Sequence, residues 1–544
     1  MQPFAGRATL VLTLLFTLSG VHEAWARHPH PPDQYDDQWL NHGRDLSNNR
    51  WARFEKKIST LSAKHLTERW IVNTEGDVTA TPSIADGIVY FPDWSGAVYA
   101  VKQRTGEVVW KRNLTSLAAE FFGTGNRTLL SRSSPTIAGD RLLVGIYGPC
   151  AVVALNISTG ALQWGKLLDP HPYGIVTMSG TAYEGYLYTG SSSSEESATD
   201  ICCSFQGAFF KLDISSGEIV WKIPMLPDNG GRIDQYAGNA VWGSSPPIDV
   251  TRRLVYIATG NNYRTPEEIT QCELNYRNQT DPPIPDPCIE PDNHVESVLA
   301  IDIDTGSISW ARHLGGYDTW VITCRIPVPG SLVNCPTIPG PDYDFGEAPM
   351  LLTIPTTGGN NASADGFRDV VVVGQKSGII WALDRVSGQV IWDTPAGPGG
   401  NLGGSIFGMT TDGLRVFTNI VNVEGQNFTL APGTTVINGS GWVGLNATTG
   451  QVLWSTANPS IGWSTPALTH ANGVVFGGSA VNTSTGSGIV ALDAKVGKIL
   501  KFIATNEPVY GGPSVSGGCA FQPLGIRYVR SSSVLALCAP SAAV

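Results

Sequence analysis

The chain of 544 residues combines 42% hydrophobic residues with only 15% charged ones, and it contains 62 glycines and 36 prolines. This composition can bury a large core while turn-forming residues interrupt it throughout, which is typical of an all-β protein. The formal net charge of -11, without any basic run, argues against nucleic acid or an anionic membrane as a partner.

Residues 1–26 have the features of a secretory signal peptide. Arg7 precedes an apolar run from Thr9 to Leu18, and Ala24 and Ala26 supply the small residues of a cleavage site after Ala26. No later stretch reaches the roughly 18 apolar residues that a transmembrane helix needs. We therefore expect a secreted protein without a membrane span.

Sequons and cysteines agree with export. Nine Asn-x-Ser/Thr sequons predict a glycoprotein if the host is eukaryotic. They lie at Asn113, Asn126, Asn156, Asn278, Asn361, Asn427, Asn438, Asn446 and Asn482.

The nine cysteines include near neighbours in Pro- or Gly-rich loops, as expected of disulfides, although the sequence does not fix the pairing. The near neighbours are Cys272 with Cys288, Cys324 with Cys335 and Cys519 with Cys538, while Cys150, Cys202 and Cys203 stay open.

A hairpin module recurs along most of the chain. Each copy has two strands of alternating residues joined by a turn of the form Asp/Asn-x-x-Thr/Ser-Gly, and it ends on a tryptophan. The six copies end at Trp110, Trp164, Trp221, Trp310, Trp392 and Trp454. A seventh, GIVALDAKVGKILK, has Lys501 in place of the tryptophan. Because another strand pair precedes each copy, as in TPSIADGIVYF, each repeating unit has four strands.

Four-stranded units repeated in this way predict a β-propeller, because radial stacking buries both faces of every sheet. The strand LTERWIVNT around Trp70 has no partner before it, and the C-terminal strands lack a closing one. We therefore predict a single domain over residues 27–544, an eight-bladed β-propeller of four-stranded antiparallel blades whose last blade joins N- and C-terminal strands. The repeated tryptophans are interpreted as packing residues that lie against the glycine turn of the next blade.

Two spans are too long for simple connections. They run from Asn262 to Glu296 and from Val321 to Gly346, and both are rich in proline and contain a pair of cysteines. Ordered loops of this length typically cap a binding face or decorate a surface.

The repeat A-x-D-x-x-T-G-x-x-x-W and the segment WLNHGRDLSNNRW resemble the eight-bladed pyrroloquinoline quinone (PQQ) dehydrogenases. The segments ICCSFQGAFFKLD, RHLGGYDTW and DFGEAPMLL are most similar to the polyvinyl alcohol dehydrogenase-like branch of that family. The resemblance covers residues Trp39 to Cys538. It implies a quinoprotein that oxidises an alcohol, with polyols and polymeric alcohols among the candidate substrates, and that uses PQQ and Ca²⁺ as cofactors.

The resemblance also implies a metal site and a catalytic base. The family's calcium-binding glutamate falls on Glu195 in GSSSSEE, with Glu196 as the register alternative, and its calcium-binding asparagine falls on Asn261. The catalytic aspartate, which also ligates the metal, falls on Asp318 in GGYDTW. Oxygen ligands of this kind suit a hard cation such as Ca²⁺, and a carboxylate suits a general base.

Further positions match the residues that hold the quinone in this family. Lys376 in VVGQKSG corresponds to the basic residue that touches it, Trp242 to its indole floor and Arg132 to a partner for a cofactor carboxylate. These types suit PQQ, a planar tricarboxylate with two adjacent carbonyls. The vicinal pair Cys202 and Cys203 is either a disulfide covering the quinone, as in the methanol dehydrogenase type, or two thiols or members of separate disulfides.

Some family features are missing. The family's HDxWD becomes YDTWV, with Tyr317 and Val321 replacing the histidine and the second aspartate. No Cys-x-x-Cys-His is present, so a covalent haem is not expected and the electron acceptor would be external. The alternative function is a secreted, cofactor-free propeller that binds a glycan or a protein, because scaffold propellers share the same repeat.

Overall fold

A computed structural model describes residues 37–123, 127–198, 200–279, 286–325, 334–356, 366–481, 486–525 and 532–540. The proposed signal peptide and the sequons at Asn126, Asn361 and Asn482 lie outside these ranges. No helix within them combines the length and the apolar character required to cross a lipid bilayer.

Eight four-stranded antiparallel sheets form the blades of a propeller, as predicted. Blade 1 contains Ser83–Ala85, Ile88–Pro92, Ala97–Lys102 and Val108–Asn113, and blade 2 contains Thr136–Ala138, Arg141–Tyr147, Cys150–Asn156 and Leu162–Asp169. Blade 3 contains Thr181–Tyr183, Tyr186–Gly190, Ala208–Asp213 and Ile219–Pro224, and blade 4 contains Ile248–Asp249, Leu254–Ala258, Ser297–Asp302 and Ile308–His313. Blade 5 contains Met350–Pro355, Phe367–Gly374, Ile379–Asp384 and Val390–Pro395, and blade 6 contains Thr410–Thr411, Arg415–Ile420, Gly441–Asn446 and Val452–Ala457. Blade 7 contains Thr469–Ala471, Val474–Ser479, Gly488–Asp493 and Ile499–Ala504.

Blade 8 joins the two ends of the chain, as predicted. Its strands are Ser514–Ser516, Cys519–Leu524, Ser532–Cys538 and, at the outer edge, Thr67–Thr74. The N-terminal strand pairs antiparallel with the last strand, from Thr67 opposite Cys538 to Thr74 opposite Ser532. This pairing closes the ring and removes an exposed sheet edge.

The connections carry the few helices and some short strand pairs. Helix α1 is Leu114–Phe122 and helix α2 is Glu267–Arg277, and single 3₁₀ turns occupy Ala63–His65, Glu195–Ser197 and Ile322–Cys324. The short strand pairs are Gly174–Ile175 with Ser192–Ser193, Ala237–Gly238 with Asn262–Arg264, and Phe428–Thr429 with Val436–Ile437.

The repeated tryptophans pack against glycine turns of neighbouring blades, as predicted. A Cβ on Gly160 would lie 2.8 Å from the Trp110 ring, and a Cβ on Gly388 would lie 2.6 Å from the Trp310 ring. The same indole-to-glycine contact joins Trp70, Trp164, Trp221, Trp392 and Trp454 to Gly106, Gly217, Gly306, Gly450 and Gly497. In blade 7, Lys501 instead donates to the backbone carbonyl of Leu66 at 2.7 Å. These tryptophan-to-glycine contacts, here called the girdle, therefore belong to the scaffold.

Residues 37–55, here called the basal segment, contact the first strand of every blade. In ring order the contacted residues are Ile84, Ile137, Thr181, Ile248, Leu351, Thr410, His470 and Ser516. Arg50 lies fully buried in this segment and donates to the carbonyls of Leu468 and Pro513. The basal segment thus crosses one end of the ring axis, which leaves the other end for ligands.

The three near-neighbour cysteine pairs form the predicted disulfides, Cys272–Cys288, Cys324–Cys335 and Cys519–Cys538. Cys202 and Cys203 are bonded to each other, and Cys150 is a buried free thiol. The open alternatives are therefore resolved in favour of a vicinal disulfide.

Candidate active site

A cavity of about 280 Å³ lies at the ring axis. Its walls come from residues just ahead of the first strands of different blades, including Arg132 before blade 2, Trp242 before blade 4 and Tyr510 before blade 8. Its base reaches His42 in the basal segment. Propeller topology therefore brings together side chains that are hundreds of residues apart in the sequence.

Lys376 occupies a buried acidic environment beside this cavity. It follows the second strand of blade 5, and its Nζ lies 2.9 Å from Asp342 Oδ1 and 3.2 Å from Asp344 Oδ2. Burial by itself would lower the pKa of Lys376, but the two carboxylates more than reverse this, so its pKa is raised. The ammonium group also lies 5.5 Å from the centroid of the Trp242 ring. Lys376 therefore remains a fixed positive charge over the indole.

The carboxylate of Asp344 joins three of the predicted site residues. Its Oδ1 accepts the backbone N–H of Asn261 at 2.6 Å, and its Oδ2 accepts the indole N–H of Trp242 at 3.1 Å as well as Lys376. The side-chain amide of Asn261 donates to the carbonyls of Asn262 and Trp320, both at 2.8 Å. These bonds use the donor hydrogens of the amide, which leaves the side-chain oxygen of Asn261 as its acceptor atom.

Asp318 lies buried at the edge of the same acidic cluster. Its carboxylate accepts the backbone N–H groups of Asp342 at 3.2 Å and Tyr343 at 2.8 Å. Burial raises the pKa of Asp318, and burial together with the neighbouring charge of Asp318 raises that of Glu296. Two buried carboxyl groups side by side disfavour simultaneous ionisation, which makes this region a favourable place for a cation.

The two adjacent glutamates face different surroundings. The carboxylate of Glu195 accepts the backbone N–H groups of Ser204 at 3.0 Å and Phe205 at 2.8 Å. Burial raises the pKa of Glu196 to about 7, with Lys376 and Arg132 lowering it in opposition. The register alternative, Glu196, is thus the residue exposed to the charges of the axial site, whereas Glu195 is bonded to its own loop.

The vicinal disulfide lies outside the lining of the axial cavity, as do Lys376, Asn261 and Asp318. Cys202 and Cys203 belong to a buried apolar cluster with Phe205, Tyr263 and Val321. Neither cysteine is among the residues that line the axial cavity.

Asp342 and Asp344 are site residues that the sequence reasoning missed. Val321, expected to replace the second aspartate of HDxWD, points into the apolar cluster of the disulfide. Asp344, at the end of the long connection that includes residues 321–343, supplies a carboxylate to the site instead. The signal was present in the DFGEAPMLL segment, but the insertion separated it from YDTW.

Comparisons with known proteins agree with the propeller fold. The family model described as "Outer membrane protein assembly factor BamB" matches residues 55–325. A polyvinylalcohol dehydrogenase from Pseudomonas sp is 28% identical over 524 residues, covering 89% of this chain and 72% of the relative. One from Sphingopyxis sp. (strain 113P3) is 28% identical over 535 residues, covering 91% and 74%. The solved quinohemoprotein alcohol dehydrogenase from Comamonas testosteroni superposes with a TM-score of 0.68 at 18% identity, covering 96% of this chain and 85% of that one.

The fold and these relatives define the class: the chain is an eight-bladed β-propeller that is similar to polyvinylalcohol and quinohemoprotein alcohol dehydrogenases. Within this class it is similar to the polyvinyl alcohol dehydrogenases over most of its length, which confirms the resemblance stated from the motifs.

Proposed function

We propose that this chain oxidises an alcohol, a polyol or a hydroxylated polymer, with PQQ and Ca²⁺, and passes the electrons to an external acceptor. The observation that carries the proposal is the placement of Lys376 over the face of Trp242, with Asp344 bonded to both, at the axis of the ring. The names of the polyvinylalcohol dehydrogenases to which the chain is similar support the substrate class.

The chemistry of the axial side chains fits the cofactor. The indole of Trp242 offers a flat apolar platform, and Arg132 and Lys376 offer cations to a planar tricarboxylate. The cavity of about 280 Å³ is close to the lower end of ordinary ligand pockets, which run from roughly 300 to 1,000 Å³. When bound, PQQ would supply the two-electron acceptor, and the metal would polarise it.

The donor set also fits a hard cation. We assign the metal to Glu196, Asn261 and Asp318, whose oxygen atoms are of the kind that Ca²⁺ prefers. Glu196 takes this role in place of Glu195 because its carboxyl group interacts with the charges of Lys376, Asp344 and Arg132. A cation would also offset the excess of buried carboxylates around Lys376.

Asp318 is proposed as the group that takes the proton from the substrate hydroxyl. The backbone N–H groups of Asp342 and Tyr343 fix its carboxylate, so it needs no reorganisation to accept a proton. Its burial excludes water from the site of transfer.

Export through the signal peptide is proposed as well. The disulfides agree with an oxidising compartment. The sequons at Asn278, Asn427 and Asn438 lie on exposed residues, so a eukaryotic host could glycosylate them. N-terminal sequencing of the protein from the culture medium tests this, and a chain that begins at Met1 inside the cells would refute it.

The test of the enzymatic proposal is to mix the purified apo-protein with PQQ and Ca²⁺ and to follow dye reduction by simple alcohols, polyols and polyvinyl alcohol. We expect turnover that requires both additions and that falls by at least about a hundredfold in Asp318→Asn. An absence of turnover with every alcohol, together with no calcium-dependent quinone binding, would favour the cofactor-free binding module.

A further inference from the structure

The carboxylate of Asp344 has three hydrogen-bond donors from three different parts of the ring. They are the backbone N–H of Asn261 after a strand of blade 4, the indole N–H of Trp242 ahead of blade 4, and the ammonium group of Lys376 in blade 5. We propose that Asp344 is a positioning residue, which holds the quinone platform, the quinone-facing lysine and the metal-ligand asparagine in one arrangement. This inference deepens the proposed function, and its quinone-binding arm rests on it.

These three donors need a side chain with an acceptor oxygen at both the Oδ1 and the Oδ2 position. A carboxylate has acceptor oxygens at Oδ1 and Oδ2, and the three partners all donate. An asparagine in the same place would keep one oxygen but would direct an amide N–H₂ either at Asn261 or at Trp242 and Lys376. A buried donor that meets another donor loses its hydrogen bond and costs the full desolvation of both groups.

The local backbone is shaped for this contact. A Cβ on Gly260 would lie 2.9 Å from Asp344 Oδ1, closer than real side chains approach. The residue ahead of Asn261 therefore has to lack a side chain for the carboxylate to reach the Asn261 N–H. Gly260 does not have a positive φ, so its alanine variant tests the contact without backbone strain.

Asp342 provides a matched control. Its Oδ1 lies 2.9 Å from the same Lys376 Nζ, so Asp342→Asn removes an equal charge next to the same cation. The bonds of Asp344 to Trp242 and Asn261 are left in place by that change. A purely electrostatic role predicts similar results for the two variants, and a positioning role predicts different ones.

The first readout needs no cofactor. Indole N–H resonances of the apo-protein are recorded by NMR, and Trp242→Phe identifies the Trp242 signal by its loss. We expect this signal to shift in Asp344→Asn and in Gly260→Ala and to stay at its wild-type position in Asp342→Asn. Since the glycine variant keeps every charge, it decides the question even if Asp344→Asn does not fold.

The second readout is the Kd for PQQ in the presence of Ca²⁺, measured by equilibrium dialysis. We expect Asp344→Asn to weaken binding by about tenfold or more relative to Asp342→Asn, as the loss of charge-assisted bonds implies. An unshifted Trp242 signal in both Asp344→Asn and Gly260→Ala, or equal Kd values for the two aspartate variants, would overturn the inference. If the wild-type protein binds no PQQ, the proposed function fails, and the indole signal still decides the role of Asp344.

Discussion

Glutamine substitutions at the two adjacent glutamates are expected to have different consequences. Glu195→Gln should lower the free energy of unfolding, because the Glu195 carboxylate accepts the backbone N–H groups of Ser204 and Phe205. Hydrogen bonds to a charged partner contribute roughly 1.5–3 kcal/mol each, and glutamine keeps one acceptor oxygen, so the expected cost is about 2 kcal/mol. Glu196→Gln instead removes the charge of a half-buried carboxyl group, and should leave the stability of the apo-protein unchanged or raised.

Binding should respond in the reverse order. With Glu196 as a metal ligand, Glu196→Gln should weaken calcium-dependent PQQ binding by at least about tenfold. Mutation of residues that only hydrogen-bond to metal ligands already lowers metal affinity by about that factor. Glu195→Gln should bind PQQ with nearly the wild-type Kd. Urea unfolding of the apo-proteins measures stability, and equilibrium dialysis with and without Ca²⁺ measures binding.

The opposite pattern would refute this reasoning. If Glu196→Gln binds like the wild type while Glu195→Gln loses calcium-dependent binding at unchanged stability, the metal lies on the Glu195 side of the turn. The assignment of Glu196 would then be wrong, and the charges around it would have only a structural meaning.

Two further predictions concern the scaffold. Gly388→Ala should cost about 1–3 kcal/mol more than Gly185→Ala in urea unfolding, because both have positive φ but only Gly388 lies against an indole, that of Trp310; equal costs would contradict a packing role for the girdle. Burial lowers the pKa of His470 to about 4, whereas the same histidine in the unfolded chain binds a proton near pH 6.5. Acidification from pH 6.5 to 4 should therefore lower the free energy of unfolding by up to about 3 kcal/mol. His470→Gln should reduce that loss of stability, and the exposed control His65→Gln should not.

The fold was predictable from the sequence because its information is local and repeated. Each hairpin carries its own alternation, turn and terminal tryptophan, so the blade count and the tryptophan-to-glycine packing follow from spacing alone. The closure of blade 8 was predictable for a different reason. The strand around Trp70 lacks a partner and the C-terminal blade lacks a strand, so pairing the two completes both. Thr67–Thr74 pairs with Ser532–Cys538 in this way.

The site was less predictable because its residues depend on the conformation of connections. Glu195 and Glu196 differ by one position in a 3₁₀ turn, and which of them faces the axis depends on where the loop N–H groups of Ser204 and Phe205 lie. Asp344 was missed because residues 321–343 separate it from Asp318, and no spacing rule spans an insertion of that length. The basal segment was recognised as a sequence motif, but its contacts to the eight blades depend on the three-dimensional arrangement of the ring and cannot be derived from the sequence.

The basal segment has a consequence for the order of events in folding. Residues 37–55 leave the ribosome before any blade, yet their hydrogen bonds reach from Ile84 in blade 1 to Ser516 in blade 8. Repeat arrays usually gain stability neighbour by neighbour and tolerate the loss of terminal units. Here the earliest part of the chain obtains its full set of partners only when the latest part has been made. The ring should therefore form and be lost as one cooperative unit, with chains truncated before residue 514 exposed to degradation or aggregation.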